Sequence, residues 1–123
     1  MVSRTDQEPT PCSMFGVFNL RKGVDLQTFK QAFDAFCTHL TQRGYVHSFR
    51  VWKRAHHSGY DANFPDVEVM VEMSFHDHGA SLVCWDYVEA HQEPIRTLHI
   101  AVNGKVTDAR FVLFQEVTLT SLP

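Results

Sequence analysis

The segment that most constrains the fold is DVEVMVEMSF, residues 66–75, in which apolar and polar side chains alternate. Successive side chains of a β-strand point to opposite faces of the sheet, so this strand has two unlike faces. The predicted buried face holds Val67, Val69, Val71, Met73 and Phe75. The opposite face holds Asp66, Glu68, Met70, Glu72 and Ser74. A strand of this kind belongs to an antiparallel sheet that helices cover on one face only.

Residues 25–44 predict the helix that covers this apolar face. Asp25 is a suitable N-cap, and Gly44 can adopt the left-handed conformation that ends a helix. Between them, large apolar side chains recur at spacings of three and four residues and form one stripe: Leu26, Phe29, Phe33, Phe36 and Leu40. Such a stripe packs against a neighbouring layer instead of facing water.

The other segments complete an alternation of strands and helices. Further strands are predicted at residues 14–21, 45–54 and 109–117, a second helix runs from Asp77 to about residue 90, and a short helical stretch follows Pro94. The order β-α-β-β-α-β predicts a ferredoxin-like α+β fold, which is a four-stranded antiparallel sheet with both helices on one face. In this fold the third strand lies between the first and the second.

Length and composition fit one domain. The chain has 123 residues, of which 44% are apolar, and a domain of this size buries roughly two-thirds of its unfolded surface. We assign residues 13–118 to the domain, residues 1–12 to a disordered arm and residues 119–123 to a tail. The arm contains charged residues and prolines but no apolar stretch, so we expect neither a signal peptide nor a membrane anchor.

The cysteines indicate the cellular compartment of the protein, and the net charge indicates which classes of partner it can attract. Cys12, Cys37 and Cys84 share no C-x-x-C spacing, and their odd number fits reduced thiols in a cytoplasmic protein better than a secreted disulfide framework. The net charge of −3, with histidines neutral, provides no overall positive field. We therefore expect no attraction to nucleic acid or to an anionic membrane.

Residues 14–20, MFGVFNL, loosely resemble the first-strand motif of RNA-recognition domains, which share the predicted fold. Those domains bind RNA through aromatic side chains on the open sheet face, with basic residues nearby. Here the same face of the third strand carries Asp66, Glu68 and Glu72, which would repel phosphate. Gly16 also stands where the motif requires an aromatic residue. These departures argue against an RNA-binding function.

The charged sheet face also carries two large apolar side chains, Trp52 and Met70. Pairing around a loop centred near Tyr60 is predicted to place Trp52 opposite Glu68 and Arg50 opposite Met70. One interpretation is a solvated ladder of surface charges, each pair worth little. The other is that two such faces stack across a two-fold axis and bury the apolar groups. The second interpretation predicts a homodimer.

Three stretches carry a resemblance to a known superfamily. They are NLRKGVD at residues 19–25, FHDHGASLVCWDYVEA at 75–90 and LHIAVNGKVTDARFVLFQEV at 98–117. Together with the element order, they resemble the dimeric α+β barrel superfamily over about residues 14–117. The closing stretch is most similar to an uncharacterised bacterial family related to antibiotic-biosynthesis-monooxygenase-like proteins. The resemblance implies a ferredoxin-like fold and a homodimer, but the superfamily contains several activities and does not imply one reaction.

Eight histidines suggest a metal site as one alternative. Residues 56–57 and the pair His76 and His78 lie at opposite ends of a strand that rises about 3.3 Å per residue, so they cannot share one ion within a subunit. His47 could complete a three-ligand cluster with His76 and His78. However, Asp77 is required there as a helix cap, and histidines at a helix start are usually solvated. We predict no metal site and no cofactor.

A haem site is a second alternative, which the resemblance raises. The haem-degrading members of the superfamily use an asparagine on the first strand with a tryptophan and a histidine on or near the second helix. This chain has Asn19, Trp85, His91 and His99. Asn19 has a different register from the relatives' asparagine, and the spacing from Trp85 to His91 is shorter than theirs. We therefore do not transfer that site.

The expected function is to bind or transform a small apolar or aromatic molecule, in a monooxygenase-, cyclase- or isomerase-like protein. The pocket is expected between the second helix and the sheet or inside the barrel. Its candidate lining residues are Phe18, Asn19, Arg50, Trp52, Glu68 and Trp85. His99 is the candidate catalytic acid or base, because histidine titrates near neutral pH, although a hydrogen-bonded core histidine is the alternative. The rival function is a non-catalytic homodimeric module.

Overall fold

The computed structural model describes residues 10–119. Its elements, in chain order, are β1 (Cys12–Leu20), α1 (Leu26–Gln42), β2 (Ser48–Lys53), β3 (Val69–Phe75), α2 (His78–Glu89), α3 (Ile95–Asn103) and β4 (Val106–Gln115). The four strands form one antiparallel sheet in the order β2-β3-β1-β4. This order confirms the predicted ferredoxin-like fold, in which the third strand lies between the first and the second.

Helix α1 begins and ends as its sequence predicts. The Asp25 carboxylate accepts a hydrogen bond from the Thr28 N–H at 2.7 Å, which satisfies one free donor of the first turn. Gly44 has a φ of +80° just after the helix, a conformation that costs glycine little. The buried residues of the helix are Phe29, Phe33, Phe36, Cys37 and Leu40. The apolar stripe therefore faces the sheet, as expected.

The core lies between the sheet and the helices. On β3, Val69, Val71, Met73 and Phe75 are buried, and the residues between them are partly exposed. They pack in one apolar cluster with α1 and with residues of α2 and α3, such as Ile95. The predicted alternation is thus confirmed, and the helices cover one sheet face only. Within residues 10–119, no helix has both the length and the apolar character needed to cross a membrane.

All four strands begin at residues other than the predicted ones; β2 begins at Ser48 and β3 at Val69, each three residues later than predicted. β1 begins at Cys12, two residues earlier than predicted, because Cys12 pairs with Phe75 and with Gln115. β4 begins at Val106, three residues earlier than predicted, because Val106 pairs with Leu20. The rest of the predicted N-terminal arm, residues 1–9, and the end of the predicted tail, residues 120–123, lie outside the described residues.

The predicted register between β2 and β3 is wrong by two residues. Trp52 lies opposite Met70, and Arg50 lies opposite Glu72. The last backbone hydrogen bond between the two chain segments runs from the Arg54 N–H to the Glu68 carbonyl, at 2.8 Å. The connecting loop is therefore centred at residue 61, one residue later than predicted. A shift of one residue in the loop centre moves every cross-strand pair by two, which leaves each side chain on its predicted face.

Candidate functional site

A groove of about 330 Å³ lies on the sheet face that the helices leave uncovered. Val17, Trp52 and Met70 belong to three neighbouring strands and share one cross-strand row of that face. The loop between β2 and β3 forms the wall, to which Tyr60 and Phe64 contribute aromatic rings. The groove is therefore mainly apolar and is open to solvent on one side.

Arg54 holds the loop in place over this end of the sheet. Its guanidinium donates to the carbonyls of Pro65 at 2.9 Å and Val67 at 2.8 Å and pairs with the Asp61 carboxylate at 3.3 Å. It also lies 5.0 Å from the centre of the Phe64 ring, within cation–π range. Only 13% of the side chain is exposed. A single arginine thus fixes both ends and the middle of the loop.

A histidine lies between two carboxylates at the edge of the groove. His56 Nε2 is 3.0 Å from Glu68 Oε1, and His56 Nδ1 is 3.5 Å from Asp61 Oδ2. The same Asp61 oxygen accepts the backbone N–H of His57 at 2.9 Å. That hydrogen bond, together with the nearby positive charge of Arg54, holds the pKa of Asp61 below its ordinary value. Asp61 is therefore a fixed anionic group that orients the imidazole.

Asn19 fixes the backbone on which Glu68 sits. Its amide Nδ2 donates to the Asp66 carbonyl at 2.8 Å, and its Oδ1 accepts the Glu68 N–H at 2.9 Å. Asn19 lies next to a shift in the register between β1 and β4. On the other side of β1, the backbone pairing with β3 ends one residue earlier, at Phe18. Asn19 supplies that pairing with its side chain and so positions Glu68 at the groove.

Trp52 is the largest side chain of the groove, and 44% of it is exposed. The indole Nε1 donates to Glu72 Oε1 at 3.2 Å. The Arg50 guanidinium lies 5.8 Å from the centre of the ring. These two contacts hold the indole on the open sheet face while a large part of it remains accessible.

The structure divides the predicted site residues into two groups. Trp52 and Glu68 line the groove, and Arg50 and Asn19 contact residues that line it. The other three predicted residues, Phe18, Trp85 and His99, lie elsewhere. The predicted site is therefore not one constellation.

The second group lies on the helix side of the molecule. Phe18 is in the core, with its ring 5.1 Å from that of Phe29. Trp85 is 63% exposed on α2. His99 stacks on Phe36 at 5.6 Å between ring centres, and its Nε2 is 3.2 Å from the Asn103 amide. Burial lowers the pKa of His99, which favours the neutral ring of a half-buried packing residue.

The histidine cluster considered as a metal alternative has no counterpart here. Within residues 10–119, no group of three His, Cys, Asp or Glu side chains is arranged to hold a metal ion, and this includes His47, His76 and His78.

Sequence reasoning missed three residues of the site, Arg54, His56 and Asp61. Arg54 immediately precedes the segment AHHSGYDANFPD, residues 55–66, which contains His56 and Asp61. The Gly, Asn, Asp and Pro content of this segment predicts a loop. The signal that could have indicated them is the unusual density of aromatic, charged and histidine side chains in that loop. Solvated loops require few aromatic residues, whereas loops that form binding sites often contain them.

The open face continues across the sheet as an apolar surface. Phe15 lies opposite Val112, and its ring is 6.0 Å from that of Phe114 in an edge-to-face contact. Val112 and Phe114 are both exposed on β4. A contiguous apolar surface of this kind on a sheet typically marks an interaction site.

The chain belongs to DUF6614, a family of unknown function, whose model matches residues 14–119. No curated protein matches the chain.

Three solved structures show the same fold at low sequence identity. SnoaB from Streptomyces nogalater, a cofactor-independent oxygenase solved as the mutant N63A, is 13% identical, with a TM-score of 0.63 over 89% of this chain and 96% of that one. A dimeric ferredoxin-like protein of unknown function from Thermobifida fusca YX is 10% identical, with a TM-score of 0.58 over 88% and 92%. A DABB family protein with a ferredoxin-like fold from Mesorhizobium loti is 14% identical, with a TM-score of 0.57 over 89% and 99%.

These likenesses agree with the fold that the sequence resemblance implied. The chain shares the ferredoxin-like architecture that is described for two of these structures. At identities of 10–14%, the comparison concerns the fold alone.

Proposed function

We propose that the protein is a homodimer that binds a small, mainly apolar aromatic molecule in the open-face groove. The observation that carries this proposal is the position of Trp52, a half-exposed indole that forms the groove with Val17 and Met70 on a sheet face without helices. An accessible indole on an apolar floor is a suitable platform for a planar ligand, since aromatic rings prefer stacked or edge-to-face contacts.

The homodimer is supported by the surface beside the groove. Phe15, Val112 and Phe114 extend the apolar area over β1 and β4, beyond the reach of a small ligand. A second copy of the same face would cover this area across a two-fold axis. The Thermobifida fusca protein of the same fold is described as dimeric, which favours a second copy as the occupant.

The chemical class of the ligand follows from the groove lining. Trp52, Phe64 and Met70 provide apolar and polarizable contacts, while Glu68 provides one acceptor at the edge. These groups suit a planar aromatic molecule with one hydrogen-bond donor. SnoaB, which shares the fold, is an oxygenase without a cofactor, and this supports a small organic molecule as the ligand. The buried thiols of the chain support a cytoplasmic location.

Ligand binding can be tested through Trp52 itself, because the chain has only two tryptophans. In the variant Trp85→Phe, Trp52 is the remaining indole and reports directly on the groove. Benzimidazole, a planar ring with one N–H donor, matches the groove lining, and 5-nitrobenzisoxazole is a second planar probe, with an acidic C–H group in place of the donor. We expect saturable quenching of Trp52 with Kd on the order of 10–100 µM for at least one probe, as is usual for ligands of this size.

The matched control is the variant Trp52→Phe, whose remaining indole is Trp85 on the exposed side of α2. It should show only the linear quenching of a solvent-exposed indole. Equal quenching curves for the two single-tryptophan variants would contradict the proposed groove. If the protein is also a dimer, that result would favour the rival function, a homodimeric module that binds no small molecule.

A further inference from the structure

We infer that Glu68, with His56 and Asp61 behind it, is a proton-transfer site that acts on the molecule bound in the groove. This inference rests on the proposed function and adds to it a reaction class. The substrate would be a planar aromatic molecule with a weakly acidic C–H or O–H group, placed against Trp52 with the acidic group toward Glu68.

One carboxylate oxygen of Glu68 contacts His56, and the other is available to a ligand. Oε1 is 3.0 Å from His56 Nε2, and Oε2 has no hydrogen-bond partner among the residues that the structure describes. Glu68 lines the groove, and Asn19 fixes its backbone N–H at 2.9 Å. The available oxygen therefore belongs to a positioned carboxylate at the edge of an apolar groove, which is the arrangement that general base catalysis requires.

The contact between His56 and Glu68 contains a proton. A ring nitrogen without hydrogen and a carboxylate oxygen are both acceptors, so a separation of 3.0 Å requires a proton between them. The other ring nitrogen, Nδ1, faces Asp61 Oδ2 at 3.5 Å. A proton on Nδ1 would therefore point at the Asp61 carboxylate. His56 and Asp61 act as positioning residues that hold Glu68.

Two other charged side chains near this cluster, Arg54 and Glu72, already have partners. The Arg54 guanidinium pairs with Asp61 at 3.3 Å and donates to two loop carbonyls. Glu72, one pleat away from the groove on β3, accepts the hydrogen bond of Trp52. Of the two carboxylates that line the groove, Asp61 pairs with Arg54, which leaves Glu68 to accept a proton from a ligand.

The proton transfer is balanced without any co-reactant. The ligand's C–H or O–H bond breaks, its proton moves to Glu68 Oε2, and the electron pair of the bond stays on the ligand, where conjugation with the aromatic ring delocalises it. Return of the proton to a different atom completes an isomerisation, or the electron pair expels a leaving group. No oxidant, reductant or metal is needed for either outcome.

The probe 5-nitrobenzisoxazole tests this step. A base removes its ring C–H proton, the freed electron pair breaks the N–O bond, and the product is the coloured 2-cyano-4-nitrophenolate. We expect saturable product formation by the wild-type protein. Glu68→Gln, which keeps the size of the side chain, should lower kcat/KM about tenfold or more, since positioned general bases contribute on the order of 10²–10⁴ in rate.

The control Glu116→Gln makes the same chemical change at the other end of the sheet, where the Glu116 N–H donates to the Pro11 carbonyl. It should keep kcat/KM within about twofold of the wild-type value. His56→Ala should lower kcat severalfold with little change in KM, whereas His56→Gln, which retains an N–H donor, should recover most of the loss. A purely structural role of His56 would instead change KM and the unfolding midpoint together.

Two readouts separate this inference from the proposed function. Quenching of Trp52 by the probe reports binding, and the coloured product reports proton transfer. Binding without product formation, or equal rates for wild type and Glu68→Gln, would overturn the proton-transfer site and leave the groove intact. Absence of saturable binding would overturn the groove and this inference with it.

Discussion

Trp52 lies directly opposite Met70 in the antiparallel pairing of β2 and β3, on the side of the sheet that the helices leave uncovered. Met70 in turn lies opposite Val17, and Val17 lies opposite Arg110 on β4. One row of side chains therefore crosses the whole sheet, and most of it is apolar. A solvated ladder of charges would not place an indole, a thioether and a valine in the same row, so this row is the part of the surface that most requires an occupant.

The loop over the groove should depend on Arg54. The variant Arg54→Met leaves the carbonyls of Pro65 and Val67 and the Asp61 carboxylate without their partner in a largely buried place. We expect a loss of about 2–4 kcal/mol in the free energy of unfolding, measured by urea denaturation, because an unpaired buried polar group costs far more than an exposed one.

The matched control for Arg54 is Lys30→Met, which removes a cation from an exposed pair with Asp34 on α1. It should change stability by less than about 0.5 kcal/mol. A similar small loss for Arg54→Met would show that the loop is held by other contacts.

The thiols should be inert in the native protein. Cys12, Cys37 and Cys84 are buried, and burial raises the pKa of Cys84 to about 11 and that of Cys37 further still. The reactive species is the thiolate, which is scarce at such pKa values. A chromogenic disulfide reagent at pH 8 should therefore label all three cysteines in urea and label the native protein only slowly. Rapid labelling of one thiol in the native state would contradict this packing.

Acid should destabilise the protein partly through His99. Burial lowers the pKa of this ring in the folded state below its ordinary value of 6.5. The unfolded chain therefore takes up a proton first as the pH falls, so stability is lost between the unfolded and the folded pKa. At pH values well above 6.5 the ring is neutral in both the folded and the unfolded chain, so it makes no pH-dependent contribution to stability.

An NMR titration of the His99 ring should show its midpoint below that of an exposed histidine. The variant His99→Gln should lose less stability than wild type between pH 7.5 and pH 5.5. A midpoint at or above the ordinary value would show that the ring is not desolvated as described.

Local physical rules account for most of the fold that the sequence predicted. The caps of α1 at Asp25 and Gly44 and the burial of Val69 and Val71 depend on neighbours within a few residues or on a simple alternation. The register of β2 against β3 depends on how the intervening loop folds. That loop is set by the hydrogen bonds of Arg54 to distant carbonyls, which no pattern in the chain reveals.

The candidate site was harder to predict for the same reason. Trp52 and Glu68 could be placed on the open face because a strand has two faces. The contact of His56 with Glu68 joins residues 12 positions apart across a loop, and it follows from loop geometry alone. His99 was predicted as a catalytic acid or base because histidine titrates near neutral pH, but its ring packs against Phe36 instead.

The most direct test of the account is the fluorescence of Trp52 in the variant Trp85→Phe, measured over a series of protein concentrations with molar mass followed by light scattering. If two copies stack their open faces, the Trp52 emission should shift to shorter wavelength, and its quenching by iodide should fall, as the mass rises from one chain to two. A mass of one chain at tens of micromolar, with emission of a water-exposed indole at every concentration, would contradict the homodimer and return the open face to solvent.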